Sequence, residues 1–348
     1  MAARYWVGNG GNWSDNTNHW ASASNGAPGA SLPTASDDVF FDVNSVKTTS
    51  QAIVVDTGTF AVGSMDWTGI VNSPTFTVDL GKINLSGSLT LSPGMGTISG
   101  GNYLAFVQTS GSWTINTNGK SVGCNLSVDI VGATLTLASN ITNTGTFFIH
   151  AGGTLALSTF TLSVKGFINN GSSHTRVLNL NSGTVRISIK FKIDGTSCTL
   201  NAGTSTVETI SNGDFYGGGK TFNILKISSD NSWIFDSSTF SQFIINDAGG
   251  SFGTSFTAGT TQTVGSFTTN ASLGNIVKIQ STIPASAFTL SKSSGNVFCD
   301  YLTIQDSAVT GGATWKAGPN SVNVSGNSGW IFAPISILMG QQSGVIVQ

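Results

Sequence analysis

Acidic and aromatic side chains in the second half of the chain are the residues best suited to chemistry. The acids on predicted strands or at rung edges are Glu208, Asp214, Asp230 and Asp236, and the aromatics among them are Tyr216 and Trp233. Hydrolysis of a glycosidic bond needs two carboxyl groups about 5 to 9.5 Å apart. Aromatic rings offer flat apolar platforms with a polar handle. The acids are therefore candidate catalytic groups, and the two rings are candidate sugar-binding groups.

A structural role competes with this catalytic interpretation. Of the 16 acidic residues only Glu208 is a glutamate, and most aspartates stand beside Gly, Asn or Ser. An aspartate in that setting commonly shapes a turn. A polysaccharide lyase would favour Arg, Lys or Tyr bases beside its acids, yet the chain contains only three arginines. We therefore expect a protein without enzymatic activity.

Metal binding has equally sparse support. Asp37, Asp38 and Asp42 are candidate oxygen ligands for Ca²⁺, but acids that flank a short strand also end and solvate it, which is the role we favour. The three histidines stand far apart in sequence, and so do the three cysteines. Neither set has the spacing of a zinc site or of a disulfide framework. We expect buried thiols and no metal or other cofactor.

The composition limits the classes of partner. Charged residues make up 9% of the 348 residues, against about 25% in an ordinary domain, and Ser, Thr, Asn and Gly take their place. No apolar run approaches the roughly 18 residues that a membrane helix needs. The net charge is −2 and the chain has no basic cluster, which disfavours phosphate neutralisation. We expect very little helix, no membrane insertion and no nucleic-acid partner.

A short phrase recurs along the chain: glycine, a small residue, then an apolar–polar–apolar strand. It begins at Gly87, Gly111, Gly132, Gly153, Gly183 and, more weakly, Gly203, at intervals of 24, 21, 21, 30 and 20 residues. A turn followed by a period-two strand at this spacing is typical of a β-solenoid. The predicted fold is all-β, a right-handed parallel β-helix, with a β-sandwich array as the alternative. The longest interval predicts an inserted excursion around residues 167–176 and a partner contact there.

Tryptophans mark both ends of the predicted solenoid. The predicted organisation is an N-terminal cap at 1–45, a solenoid at 46–300, terminal rungs with a C-terminal cap at 301–332 and an apolar tail at 333–348. The cap tryptophans are Trp6, Trp13, Trp20, Trp315 and Trp330. A solenoid's first rung must be covered, and indoles do this while their N–H groups stay in water. We expect the tail to contact another subunit or a partner.

Aromatic side chains are dense between residues 229 and 275. They are Trp233, Phe235, Phe240, Phe243, Phe252, Phe256 and Phe267. Stacks inside the solenoid are the favoured explanation, because aromatic rings bury large areas and pack in pairs. A lateral trimer interface or a sugar-stacking groove is the alternative.

The two ends of the chain resemble those of known proteins. The opening motifs are YWVGNGGNWSD at 5–15, NHW at 18–20 and PTASDDVFFD at 33–42. They resemble the cap of β-helical surface proteins, which occurs in autotransporter-like bacterial adhesins and in tailed-phage virion proteins. The closing motifs, TGGATW at 310–315 and NSGWIF at 327–332, resemble the end of many phage structural proteins. These ends cover about 80 of the 348 residues, and the middle resembles only a generic β-solenoid.

The resemblance implies a parallel β-helix, often trimeric, that works outside a cell or on a virion. Because the N-terminus lacks the apolar region of a secretion signal, we expect a virion protein assembled in the host cytoplasm. On this interpretation it is a non-enzymatic fibre, spike or capsid appendage of a tailed phage, used for attachment or decoration. Its expected partners are its own copies in a homotrimer, other virion proteins and a host surface glycan. The alternatives are a bacterial cell-surface adhesin and a polysaccharide-degrading tailspike.

Overall fold

Parallel β-strands dominate the structure. The computed structural model describes residues 2–150, 152–169, 174–193, 196–246 and 252–333. The strands stack as a β-solenoid of about 12 turns, and helix accounts for about 1% of the chain. This confirms the predicted all-β solenoid and excludes a β-sandwich array. No helix in the described ranges is long and apolar enough to cross a membrane.

The strands are short and closely spaced. Up to residue 150 they are β1 (Ala2–Trp6), β2 (Gly11–Asn12), β3 (Trp20–Ala21), β4 (Asp37–Phe40), β5 (Ala52–Val54), β6 (Thr59–Val62), β7 (Met65–Asp66), β8 (Thr75–Thr77), β9 (Lys82–Leu85), β10 (Leu89–Thr90), β11 (Ile98–Ser99), β12 (Tyr103–Phe106), β13 (Ser112–Asn116), β14 (Ser121–Val122), β15 (Asn125–Val128), β16 (Thr134–Leu137) and β17 (Ile141–Ile149). A single helical turn, α1 (Asn16–His19), lies between β2 and β3.

The second half continues the same arrangement with several longer strands. They are β18 (Gly153–Ala156), β19 (Thr161–Asn169), β20 (Arg176–Asn179), β21 (Thr184–Ile193), β22 (Cys198–Asn201), β23 (Thr206–Ile210), β24 (Asp214–Tyr216), β25 (Thr221–Ser228), β26 (Asn231–Ile234), β27 (Ser238–Ile245), β28 (Gly253–Phe256), β29 (Thr261–Thr269), β30 (Val277–Ser281), β31 (Phe288–Ser291), β32 (Asn296–Cys299), β33 (Leu302–Gln305), β34 (Ser307–Thr310), β35 (Thr314–Ala317), β36 (Val322–Ser325) and β37 (Trp330–Phe332).

Three long ladders of strands run along the solenoid, and a shorter fourth row joins the first halves of β25, β27 and β29 with β31 and β34. The first ladder contains β1, β4, β7, β10, β13, β16, β18, β20 and β22. The second contains β2, β5, β8, β11, β14, the first halves of β17, β19 and β21, then β23 and the second halves of β25, β27 and β29. The third contains β6, β9, β12, β15, the second halves of β17, β19 and β21, then β24, β26, β28, β30, β33 and β36. Strand pairs within each ladder are parallel, whereas β1 and β3 pair antiparallel.

Alternation of apolar and polar residues decides which side of each strand faces the core. In β9, Ile83 and Leu85 are fully buried while Lys82 and Asn84 lie on the outside. The next rungs place Leu104 and then Leu126 in register with Ile83, so like residues stack along the axis. A slip of one residue would move the whole apolar set to the solvent side, and this holds the register.

A column of phenylalanines fills the core beneath the third ladder. Phe147, Phe167, Phe191 and Phe215 are register partners in consecutive rungs, and all four are fully buried. Neighbouring ring centroids lie 6.0, 5.1 and 5.2 Å apart, and the rings are within 10° of parallel. The column makes this part of the solenoid stiff, since each ring is clamped by the rungs above and below it.

The N-terminal tryptophans pack inside the first turns. Trp6, Trp13 and Trp20 have no exposed surface, which corrects the prediction that their indole N–H groups stay in water. The indole of Trp6 donates to the carbonyl of Asn9 at 2.6 Å, and that of Trp20 donates to the carbonyl of Trp13 at 2.9 Å. Among the described residues the N–H of Trp13 has no partner. The aromatic packing reaches past residue 45, because Phe41 stacks on Trp67 at 3.6 Å.

The C-terminal tryptophans also pack together. Trp315 on β35 and Trp330 on β37 are register partners with centroids 5.3 Å apart, and both are buried. They belong to the three-stranded sheet of β32, β35 and β37, which closes one side of the last turns. The predicted tail contact at 333–348 lies outside the described residues, apart from Ala333.

The long glycine interval has a different origin from the one predicted. Gly153 pairs in register with Arg176 on the first ladder, so the turn between them has an ordinary length. Gly183 precedes β21, whose first half belongs to the second ladder and pairs with β19. The two glycines therefore mark different ladders, and the prediction of an inserted excursion was wrong. Residues 170–173 within the predicted excursion lie outside the described residues.

Candidate functional site

Glu208 lies on β23 in the second ladder, and its carboxylate is fully engaged. It accepts hydrogen bonds from Arg186 at 2.8 Å and from Lys226 at 2.9 Å, and these residues are its register partners in the adjoining rungs. Ser228 also donates to it at 2.8 Å. Burial opposes ionisation, but the hydrogen bonds from Lys226, Ser228 and Arg186 outweigh it and hold the pKa of Glu208 below its ordinary value. The arrangement suits a structural charge row.

Asp230 holds a connection between rungs. Its Oδ1 accepts hydrogen bonds from the backbone N–H of Phe252 at 3.2 Å and of Gly253 at 3.0 Å. Gly253 begins β28 and carries a positive φ of 72°, a conformation that a glycine adopts without strain. The carboxylate of Asp230 therefore steadies this strand start.

The other four candidates lie together on the outer face of the third ladder. The rings of Tyr216 and Phe235 stack with centroids 3.9 Å apart and planes within 6°. The indole of Trp233 is 5.7 Å from Phe235 and is 42% exposed. We call Tyr216, Trp233 and Phe235 the aromatic shelf. Asp214 and Asp236 flank it closely enough for both of their charges to act on the Tyr216 hydroxyl.

Sequence reasoning missed three members of this surface. Phe235 was placed in a general aromatic cluster, although it is the stacking partner of Tyr216. Lys190 pairs in register with Asp214, and its ammonium lies 5.3 Å from the centroid of the Tyr216 ring, within the range of a cation–π contact. Lys192 pairs with Tyr216 itself and is exposed. The Lys190-Phe191-Lys192 motif was the available signal.

A groove of about 680 Å³ opens beside the shelf, and we call it the shelf groove. Its lining residues are Lys192, Ile193, Tyr216, Gly218, Gly219, Asp236 and Ser237. One carboxylate oxygen of Asp236 accepts a hydrogen bond from the N–H of Gly218 at 3.2 Å, which fixes the side chain at the groove edge. The groove therefore offers the edge and hydroxyl of the Tyr216 ring, a cation and a carboxylate side by side.

The electrostatics of the shelf follow from partial burial. Burial raises the pKa of Asp214, while the charge of Lys190 opposes the increase. Burial also raises the pKa of Tyr216, and the charges of Asp214 and Asp236 add to this effect. Tyr216 therefore stays a neutral hydrogen-bond donor at neutral pH.

Asp214 and Asp236 are the acids nearest to a catalytic arrangement. Phe215 pairs with Ile234, so Asp236 lies one rung on and three residues further along the strand direction than Asp214. A retaining glycosidase holds its carboxyl groups about 5 to 5.5 Å apart, and an inverting one about 6.5 to 9.5 Å. Asp214 and Asp236 both act on the Tyr216 hydroxyl, and their placement in different rungs assigns neither of these two geometries.

The three candidate Ca²⁺ ligands make separate structural hydrogen bonds. Asp37 accepts hydrogen bonds from the backbone and hydroxyl of Thr34, and Asp38 accepts one from the backbone of Ser64. Asp42 accepts one from the backbone N–H of Asn44 at 2.8 Å. No group of three His, Cys, Asp or Glu side chains in the described ranges is arranged to hold a metal ion.

Comparison with known proteins adds no further likeness. No family model, no curated protein and no solved structure matches this chain. The functional conclusions below therefore rest on the geometry of the solenoid and of its third ladder.

Proposed function

We propose that this protein is a non-enzymatic attachment rod of a tailed-phage virion, a fibre, spike or capsid appendage, and that its aromatic shelf contacts a glycan of the host envelope. The observation that carries the proposal is the shelf itself. Tyr216 and Phe235 stack while Trp233 stays exposed beside them. Ring faces next to charged hydrogen-bonding groups suit the mixed apolar and hydroxyl surface of a sugar.

The scaffold supports a mechanical role for the rod. Parallel ladders run along the described turns, and buried tryptophans lie in its first and last rungs. Each rung contacts its neighbours through stacked core residues, so the shelf is held on a rigid element rather than on a mobile loop. The motifs at 5–15 and 310–332 resemble the ends of virion β-helices, and by the same resemblance we expect a homotrimer that contacts other virion proteins.

A polysaccharide-degrading tailspike is the second candidate, and one observation favours it. Asp214 has a raised pKa while Asp236 lies across the same rings, and paired acids in unlike environments are typical of a general acid and a general base. Against this role, the carboxylate of Asp236 is tied to the backbone N–H of Gly218, and the two acids lie in different rungs. Binding without cleavage therefore fits the site better.

The test measures binding and cleavage together. Purified capsule and O-antigen polysaccharides from candidate hosts are immobilised, and retention of the protein and release of reducing ends are both measured. We expect retention without new reducing ends, and we expect Tyr216→Ala to lose retention. The matched control is Phe298→Ala, because Phe298 is an aromatic residue that is 67% exposed on β32, outside the shelf. New reducing ends that disappear in Asp214→Asn would establish the tailspike instead, and absence of retention on every host polysaccharide would overturn the attachment role.

A further inference from the structure

A second cleft lies on the outer face of the third ladder, several rungs from the aromatic shelf. Its volume is about 180 Å³, and we call it the His150 cleft. Its lining residues are Lys82, Tyr103, Ala105, Ser127, Asp129 and His150. Phe148 contacts two of these residues: its ring centroid is 5.8 Å from that of Tyr103 and 5.0 Å from that of His150, on which it stacks. This cleft is the second place on the same face where aromatic rings meet a cation and a carboxylate.

One row of register partners joins the two clefts. Ser127, Phe148, Ile168, Lys192 and Tyr216 follow one another in consecutive rungs of the third ladder. Tyr103 lies one rung before Ser127, so five rungs separate Tyr103 from Tyr216. At about 4.8 Å per rung, the two rings are about 24 Å apart along the axis. The two clefts are therefore in line with the solenoid axis, at a distance that a linear polymer can bridge.

The two clefts repeat the same functional groups. The shelf groove has Tyr216 with Lys192 and Asp236, and the His150 cleft has Tyr103 with a lysine and an aspartate of its own, Lys82 and Asp129. Neither lysine forms an ion pair within the described part of the chain. Each cleft can therefore bind one anionic group of a ligand at its lysine and one sugar ring of the ligand at its tyrosine.

Asp129 offers a carboxylate oxygen that can accept a hydrogen bond from a ligand. The hydroxyl of Ser127 donates to its Oδ2 at 3.0 Å. Its Oδ1 is buried and has no hydrogen-bond partner among the residues that the structure describes. A buried carboxylate oxygen without a donor is costly, and a hydroxyl group of a bound sugar would satisfy it.

We propose that a linear acidic polysaccharide lies along this row, parallel to the solenoid axis, and occupies both clefts at once. One of its sugar units packs on the ring of Tyr103, another lies against the edge and hydroxyl of Tyr216, and its anionic groups lie at Lys82 and Lys192. The carboxylate of Asp129 accepts a hydrogen bond from one of its hydroxyl groups. This inference rests on the proposed glycan attachment and adds the charge, the direction and the minimum length of the ligand.

Other extended polymers fit this face less well. A peptide strand adds to a sheet through free backbone groups, but the backbone of the third ladder is paired with neighbouring rungs on both sides here. A nucleic acid carries a phosphate at every unit, and these phosphates would meet Asp129, Asp214 and Asp236. A polysaccharide with spaced anionic groups avoids both conflicts.

The experiment uses the full chain and the polysaccharide that it retains in the pull-down described above. That polysaccharide is cut into short oligosaccharides that fill one cleft and long ones that span both, and calorimetry measures their affinity. We expect long oligosaccharides to bind at least about tenfold more tightly than short ones. Tyr103→Ala and Tyr216→Ala should each remove that gain, and Phe298→Ala should leave it intact. His150→Ala is a second variant at the exposed edge of the His150 cleft, in case Tyr103→Ala fails to fold.

Charge is tested with the same ligands. Reduction of the polysaccharide's carboxyl groups, or Lys82→Ala together with Lys192→Ala, should weaken binding by about tenfold and flatten its salt dependence. Equal affinity at all lengths, or loss of the gain in only one cleft, would overturn the two-cleft arrangement while leaving glycan attachment in place. Retention of neutral polysaccharides alone, or tighter binding of a single-stranded oligonucleotide, would overturn the ligand class. No retention of any polysaccharide would overturn both proposals.

Discussion

Arg186 and Glu208 form an ion pair between adjacent rungs of the second ladder, with Nε and Oε2 2.8 Å apart. Lys226 continues the row on the other side of the same carboxylate at 2.9 Å. Glu208 is buried while Arg186 is largely exposed, so removing the carboxylate affects the interior more than removing the guanidinium. The row joins three turns of the solenoid through charge-assisted hydrogen bonds.

Glu208→Gln should make the free energy of unfolding fall less steeply as the pH is lowered. The folded-state pKa of Glu208 lies below its ordinary value of 4.5, so its contribution is complete above that pH and is lost as the pH falls through the folded value. At neutral pH the substitution should cost about 1–3 kcal/mol. Urea unfolding measured from neutral pH to below pH 4.5 gives the difference between the two proteins. Burial opposes ionisation of Asp37, but its hydrogen bonds from Thr34 hold its pKa below the ordinary value in both proteins alike. A difference between the proteins that stays constant across this range would therefore contradict the assignment to Glu208.

Trp13→Ala should destabilise the N-terminal cap by about 3–5 kcal/mol. Its indole is fully buried among Trp6, Trp20 and Phe41, and the substitution leaves a large cavity there. Trp13→Phe should cost less, since it also removes a buried N–H that has no partner in the described part of the chain. Hydrogen exchange of the first rungs measures the effect. Trp233→Ala is the control, because Trp233 is 42% exposed and its removal leaves no buried cavity in the cap. Equal exchange in Trp13→Ala and the wild type would contradict a structural role for the cap.

The architecture could be predicted from the sequence because burial alternates along many of the strands, as it does in β9. Ile83 and Leu85 face the core, with polar residues between them, and this period identifies a strand without knowledge of its partners. The ladder to which each strand belongs could not be predicted in the same way. Gly153 and Gly183 begin similar phrases on different ladders, because all three ladders use the same turn chemistry.

The candidate site was predictable only in part, for a related reason. Asp214 and Tyr216 are two residues apart on one strand, so a shared face follows from the period alone. The stacking of Tyr216 on Phe235 depends on the length of the turn between their rungs, which the sequence pattern does not define. The prediction that the Trp13 indole reaches water was wrong because Trp6, Trp13 and Trp20 enclose one another. This mutual packing depends on all three rings and cannot be read from any one position in the sequence.

Gly94→Ala should destabilise the protein by about 1–3 kcal/mol through overpacking. An added Cβ would clash with the carbonyl oxygen of Ile70 in the preceding rung, and this atom belongs to the backbone. Gly101→Ala is the matched control, because a Cβ there meets no atom within 4 Å and the backbone is outside the left-handed region. The control should be neutral or up to about 1 kcal/mol more stable. Denaturant midpoints compare the two variants, and equal midpoints would show that the rungs do not pack this closely.

The three cysteines should resist thiol reagents until the protein unfolds. Cys124, Cys198 and Cys299 are all buried, and burial raises the pKa of the Cys124 thiol to about 12 and that of Cys299 to about 11. Because the thiolate is the reactive form, a reagent at about pH 8 meets almost no thiolate at Cys124 or Cys299 in the native state. Burial shields the thiol of Cys198 from the reagent. Titration with a chromogenic disulfide should detect no thiol in buffer and three in denaturant. Rapid reaction of one thiol in buffer would instead place that cysteine near a local opening of the solenoid, and single Cys→Ser variants would identify which one.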